Sequence, residues 1–184
     1  MSDRSWWLAA IAVAGLALAA SVNSIANGFA YDDVALIQNA ARVHSWAGWW
    51  GEFAQPYWPG ADGYRPLTVI AWRAQWALSN GAASGFHAVN VGLHVLGAVA
   101  VFWMACAALP RTTAAISGAL YAVHPVHAEA IANVVGQSEL VVALLVVVAV
   151  GLFLHARVQG PVSAKRWIVI GTLYAAACLF KEHA

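Results

Sequence analysis

Charge is what this chain has least of. Only 9% of its 184 residues are Asp, Glu, Lys or Arg, against about 25% in soluble domains. A chain so poor in charge cannot coat a water-facing surface, so the sequence reads as an integral membrane protein. The basic residues number 9 and the acidic ones 8, a net charge of +1. No basic face exists to neutralise phosphates, which excludes a nucleic-acid partner. Cysteine is scarce as well. Cys106 and Cys178 both fall inside apolar runs, where buried thiols are expected and a disulfide framework is not.

What the chain does have is hydrophobicity: 62% of its residues are apolar, with a mean hydropathy of +0.69. It also has ten tryptophans. Trp6, Trp7, Trp46, Trp49, Trp50, Trp58, Trp72 and Trp76 cluster where apolar runs meet polar segments, as an interfacial aromatic belt would. A hydrocarbon core about 30 Å thick needs about 20 apolar helical residues. By that rule the fold class is all-α, a polytopic membrane helix bundle of about five spans, at 6–21, 86–109, 112–123, 140–155 and 167–180. The first also resembles a signal peptide, with Arg4 ahead of it and small residues at its end. The flanking tryptophans and the polar segment that follows favour an uncleaved anchor.

Lys and Arg set the orientation. Arg4, Arg111, Arg157, Lys165 and Arg166 all fall on one side if the N-terminus is cytoplasmic. The opposite side collects most of the acidic residues together with Arg42, Arg65, Arg73 and Lys181, so chemistry is expected on the exoplasmic face. Alanine-rich, lysine-poor usage points to a high-GC bacterium, hence to an inner membrane with the catalytic loops periplasmic. The external segment 23–85 is too long for a simple turn. Within it, 33–46 reads as a short amphipathic helix, 55–63 as a Pro- and Gly-rich loop that includes Asp62, and Pro66 as the opening of a helix over 67–78. Both helices are expected to lie in the interface plane.

Several polar groups are candidates for function. Asp32 and Asp33 follow the first span, where carboxylates are costly unless they bind or react. One of them can cap the helix that begins at Val34, the other is left for chemistry or for pairing with Arg65, and mutual repulsion can raise one pKa. Arg65, just before a helix start, has the geometry to hold a phosphate, or to meet lipid headgroups. His87, Asn90 and His94 share one helical face, as interhelical glue or as a substrate contact. His124, His127 and Glu129, followed by Asn133, Gln137 and Glu139, form the densest polar run. Two histidines three apart plus a carboxylate can hold a metal, but the run is not a His-Glu-x-x-His motif. A polar helix cap is the plainer reading. Lys181 and Glu182 arrive at the same exoplasmic surface.

Taken in order, Asn27-x-Phe29-x-Tyr31-Asp32-Asp33-x-x-Leu36-Ile37-x-Asn39, Tyr57-Trp58, Tyr64-Arg65-Pro66-Leu67-Thr68 and Phe86-His87-x-x-Asn90-x-x-x-His94 are followed by His124-Pro125-Val126-His127-x-Glu129-Ala130, Val134-Val135-Gly136-x-x-Glu139-Leu140 and Lys181-Glu182. This series resembles the transmembrane, tetratricopeptide-repeat-containing O-mannosyltransferases and their bacterial relatives, within the GT-C class of membrane glycosyltransferases. The resemblance covers nearly the whole chain and implies its N-terminal part, with the later spans and the repeat domain lacking. It implies an inverting transfer of a sugar, mannose by the family's habit, from a polyprenyl-phosphate-sugar donor to a hydroxyl acceptor, protein Ser or Thr among the candidates, at the exoplasmic face. Asp32 matches the family's catalytic carboxylate and Asp33 its neighbour. Residue chemistry agrees: an acceptor hydroxyl needs a base within reach. A departing lipid phosphate needs positive groups such as Arg65, with His124, His127 or Lys181 as helpers. A divalent metal is compatible with Glu129 but not required. The rival expectations are a transporter lined by the buried His, Asn and Glu, and a non-catalytic membrane scaffold that retains the motifs.

Overall fold

Proline marks the helix boundaries. It has no N–H to donate and is tolerated only in a first helical turn or outside a helix. Pro66 opens one helix, Pro110 precedes another, Pro125 follows its end, and Pro161 lies in the turn between two long ones. Between those marks, the residues described by a computed structural model (3–58, 60 and 63–182) form seven α-helices and no strand. They are α1 (Asp3–Ser21), α2 (Pro66–Ser79), α3 (Ala83–Ala105), α4 (Arg111–Val123), the short α5 (Ala128–Ala132), α6 (Gln137–Gln159) and α7 (Ala164–Phe180). Pro59, Ala61 and Asp62 of the external loop, and His183 and Ala184, lie outside the described residues.

The all-α bundle matches the expected class; the number of spans differs. Three stretches are long and apolar enough to cross a bilayer: Arg4–Ala26, Ala83–Ala105 and Val134–Gln159. The first and last run on into 3-10 turns, Val22–Ala26 and Val134–Gly136. The expected spans at 112–123 and 167–180 are helical, but α4 has 13 residues and α7 has 17. At about 1.5 Å per residue they reach only about 20 and 26 Å. A five-span count needs α4 to cross in the lee of its neighbours.

α3 is the hub. It packs against α1, α4 and α6, and α6 in turn packs against α7. The membrane half of this packing is made of small side chains. Ala10, Val13, Ala17, Ala98, Ala114 and Ala122 are buried between helices, which lets backbones approach closely where water supplies no hydrophobic drive. Gly118 shows how closely: a Cβ there would stand 2.9 Å from Phe102 Cβ and 3.1 Å from both the Ala98 carbonyl oxygen and Val13 Cγ1. At one end of the bundle Arg111 donates to Ser5 Oγ, joining the starts of α4 and α1. His155 Nε2 donates to the Trp103 carbonyl at 2.9 Å, joining the ends of α6 and α3. Arg4, Arg111 and Arg157 therefore share one end of the bundle, as the charge pattern requires. Cys106 and Cys178 are free thiols.

The opposite end is a folded cap with its own core. Leu36, Ile37, Val43, Tyr57, Val69, Trp72, Phe86 and Val134 cluster there. Two expectations are corrected. The segment 33–46 is not one amphipathic helix but a π-type turn, Val34–Gln38, followed by a 3-10 turn, Ala41–Val43. Its apolar residues face a small core rather than a planar interface, so the chain bends to follow it. Trp72 is fully buried in that core, not part of a belt, and Trp6 packs on Phe102 at 5.5 Å, whereas Trp7, Trp46 and Trp50 are exposed. A buried ion cluster rivets the cap to α2. Arg73 pairs with Glu52, both side chains 3% exposed. Arg73 Nη1 also donates to the carbonyls of Ser45 (2.7 Å) and Ala47 (3.2 Å). Arg42 reaches Glu52 at 3.6 Å and donates to the carbonyls of Pro56 and Tyr57. α2 is the expected helix, with Pro66 at its first position.

Candidate functional site

Asp32 and Asp33, adjacent in sequence, part company in space. Tyr31 before them has φ 49°, a left-handed conformation uncommon for a residue with a Cβ. The chain turns there, Asp33 points inward and Asp32 stays exposed. Asp33 is fully buried. It does not cap the turn at Val34 with its side chain, and it does not pair with Arg65. Its oxygens accept from the backbone N–H groups of Val135 (2.8 Å), Val134 (3.2 Å) and Ala30 (3.3 Å). It thus clasps the first external segment to the turn that opens α6, 101 residues away. Burial pushes the Asp33 carboxyl above its ordinary value, against the pull of those three amides and of nearby His87. Repulsion from Asp32, the expected cause of such a rise, is not among them.

Asp32 instead lines a cavity of about 670 Å³ at the cap end of the bundle. Around it stand Tyr57, Arg65, His127, Glu129, Glu139 and Lys181. The wall continues along Val126, in the turn Pro125–His127, and along Leu140 and Ala143 in the first turns of α6. Of the residues read from the sequence, Asp32, Arg65, His127, Glu129 and Lys181 thus converge from four separate stretches. No hydrogen bond engages the Asp32 carboxylate among the described residues.

Both cations of the cavity are already paired. Arg65 gives Nε and Nη2 to the two oxygens of Glu182, at 2.7 and 3.0 Å, and its guanidinium lies 4.4 Å above the Tyr57 ring. Its bonds to Glu182 hold Arg65 above its ordinary pKa. Lys181 pairs with Glu139. These pairs orient the two side chains without using all of their donors, since a guanidinium has five N–H groups and an ammonium three. Burial pushes the Tyr57 hydroxyl up to about 12, so it stays an O–H donor at any physiological pH. Burial, with His94 and His124 beside it, pushes His127 below 6.5, so near neutral pH it is an uncharged imidazole rather than a helper cation.

His87, Asn90 and His124 support the site without lining it. His87 Nε2 donates to the Gly28 carbonyl at 3.2 Å. Asn90 Nδ2 donates to the carbonyls of Asn133 (3.0 Å), Ile131 (3.3 Å) and Ala130 (3.4 Å), while its Oδ1 accepts from Gln137 at 2.8 Å. His94 Nε2 donates to the Ala122 carbonyl at 3.0 Å. The polar face of α3 is therefore glue, and what it holds are the two segments, 27–33 and 124–136, that carry Asp32 and Glu129. His124 Nδ1 accepts from the Val126 amide at 3.2 Å, a cap at the end of α4. Gly136 belongs to the same joint: a Cβ there would meet Ala130 Cα and O at 2.6 Å. The Thr68 hydroxyl donates to the Phe180 carbonyl at 2.7 Å and ties α2 to the end of α7. Asn133 and Glu139, members of the polar run that begins at His124, line the cavity too, and so does Tyr57, whose signal in the sequence is its place in the Tyr57-Trp58 motif. Among the described residues no three His, Cys, Asp or Glu side chains are grouped so as to hold a metal ion.

Comparison with known proteins gives one consistent answer. The chain is 33% identical to protein O-mannosyl-transferase Tmtc2 of Drosophila melanogaster over 92% of its own length and 19% of that protein. It is 31% identical to protein O-mannosyl-transferase TMTC3 of Homo sapiens over 92% of its length and 20% of that protein. It is 30% identical to protein O-mannosyl-transferase TMTC1 of Mus musculus over 95% of its length and 20% of that protein. The chain thus spans about one fifth of the relatives it matches. No family model matches it, and neither does a solved structure.

Proposed function

Taking as premise that this chain belongs with the protein O-mannosyl-transferases, we propose that it forms the exoplasmic catalytic face of a membrane mannosyltransferase. The donor is a polyprenyl-phosphate-linked mannose that enters from the bilayer, and the acceptor is a protein hydroxyl. The observation that carries this reading is the cavity in which an exposed carboxylate, Asp32, stands with two cations, Arg65 and Lys181, above an apolar wall of α6. The cations suit a lipid phosphate and the apolar wall suits its chain. Asp32 suits the proton of the acceptor.

The reaction follows from that arrangement. The acceptor hydroxyl gives its proton to Asp32 as its oxygen attacks the anomeric carbon. The bond from that carbon to the phosphate oxygen breaks, and its electron pair stays on the phosphate. Arg65 and Lys181 meet the growing charge, sharing their remaining donors or exchanging Glu182 and Glu139 for the phosphate. Tyr57 adds a neutral O–H. Attack opposite the leaving group inverts the anomeric carbon, and no covalent intermediate is needed. Glu129 stands beside the reacting groups, on the acceptor side. The shared end of Arg4, Arg111 and Arg157 supports a cytoplasmic N-terminus and, in a bacterium, a periplasmic site.

The test uses the full-length protein in nanodiscs with polyprenyl-phosphate-mannose and a Ser/Thr peptide. Asp32→Asn abolishes transfer while donor binding and thermal midpoint stay unchanged. Arg65→Ala raises the donor KM more than the acceptor KM. Wild-type turnover in Asp32→Asn removes Asp32 from the base role, and an unchanged donor KM in Arg65→Ala removes Arg65 from the phosphate.

A further inference from the structure

A second cavity, about 490 Å³, lies against the first. Its walls are Ala30, Tyr31, Asp32, Glu129, Ala132 and Asn133. Asp32, Glu129 and Asn133 therefore belong to both cavities and form the partition between them. The two sides differ in kind. The first holds Arg65 and Lys181 and runs onto α6. The second has no cation on its wall and no residue of a long apolar helix. A lipid phosphate has nothing to hold it there, while the carboxylates of Asp32 and Glu129 repel it.

From this partition we infer that the second cavity is the acceptor subsite, and that it selects a Ser- or Thr-bearing polypeptide segment with neutral or basic, not acidic, neighbours to the hydroxyl. The inference rests on the transferase reading above and adds the acceptor's place and charge preference. In-line displacement puts the nucleophile and the leaving phosphate on opposite sides of the anomeric carbon. With the phosphate among the cations of the first cavity, the acceptor approaches from the other face of the partition, and the base must be reachable from there. Asp32 meets both conditions, with Glu129 beside it on the same partition.

The wall also says what the segment touches. Tyr31 is 89% exposed at this cavity, held there by its left-handed backbone; an aromatic ring so displayed offers an apolar face to a peptide at little entropic cost. Asn133 lines both cavities; its Oδ1 is buried without a hydrogen-bond donor among the described residues, and a turn of the side chain would offer it to an incoming N–H or O–H. The Asn27 side chain donates to the Ala132 carbonyl at 3.4 Å, tying the two walls together along one edge. The size falls within the range of about 300–1,000 Å³ usual for ligand pockets.

Two measurements on the full-length protein separate this subsite from the reading beneath it. One is binding of a fluorescent Thr peptide without donor; the other is transfer to it, each with Lys, Ala or Glu on both sides of the Thr. Expected is a KM for the Glu-flanked peptide at least roughly fivefold above the Ala-flanked one, with the Lys-flanked one lowest. Tyr31→Ala raises peptide KM and Kd severalfold with donor KM unchanged, and Tyr31→Phe restores both. Equal use of the three peptides, or Tyr31→Ala acting on donor KM instead, overturns the subsite while leaving the transferase intact. Charge-selective, Tyr31-dependent binding without any transfer sinks the transferase reading and keeps the site as a peptide-binding one. Neither binding nor transfer by a protein with wild-type thermal midpoint overturns both.

Discussion

Asp33 is buried not to react but to hold two segments together, and replacing it tests that claim. In Asp33→Ala three backbone N–H groups lose their acceptor: Val134, which is buried, and Ala30 and Val135, which are part-buried. A stranded buried amide costs about 1–3 kcal/mol, so three set a ceiling of about 9 kcal/mol. Two of them can recover water, and losing a carboxyl that burial already disfavours returns part of the rest. The expected loss is about 3–5 kcal/mol. Asp33→Asn falls between: its single carbonyl oxygen replaces one carboxylate oxygen, and its NH2 then confronts at least one N–H donor, for about 2–3 kcal/mol. The assay is the thermal midpoint of the protein in detergent micelles, with Asp32→Asn measured alongside. Both Asp33 variants melt early, Asp33→Ala the earlier, and Asp32→Asn melts with wild type. Asp33→Ala at the wild-type midpoint, or Asp32→Asn unfolding as readily as Asp33→Asn, refutes the division of labour between the two carboxylates.

Two further outcomes follow from the cap. Glu52→Gln leaves Arg73 buried without its counter-charge, which costs about 3–5 kcal/mol; limited proteolysis then cuts within residues 41–57, and a wild-type digestion pattern contradicts the rivet. His127 is held below 6.5 by burial and by two neighbouring imidazoles, so folding favours its neutral form. The stability this contributes is complete above 6.5 and is lost as pH falls through the lowered value. Thermal midpoints measured from about pH 7.5 down to about pH 5 fall less steeply in His127→Gln than in wild type; parallel curves disprove the contribution.

Much of this protein is written in one dimension. Low charge and long apolar runs dictate a membrane helix bundle because hydrocarbon satisfies no backbone polar group. The prolines place the helix ends because proline cannot donate. The positions of Arg4, Arg111 and Arg157 order the ends of the helices because charge stays out of the membrane. The motifs named most of the site: Asp32, Arg65, His127, Glu129 and Lys181 do line one cavity. What no pattern carried is direction and distance. Asp32 and Asp33 are indistinguishable as letters, and only the turn at Tyr31 and the amides of Val134 and Val135, a hundred residues on, make one a free carboxylate and the other a clasp. The 33–46 segment has a helix's periodicity, yet the small core under it bends it into turns. Trp72 stands where the apolar run Val69-Ile70-Ala71 meets Arg73 and is nonetheless buried, because the cap has an interior that local composition does not disclose. Apolar content and helix ends are properties of a residue and its neighbours; which side of a partition a carboxylate faces depends on contacts made across the whole chain, and those exist only once it has folded.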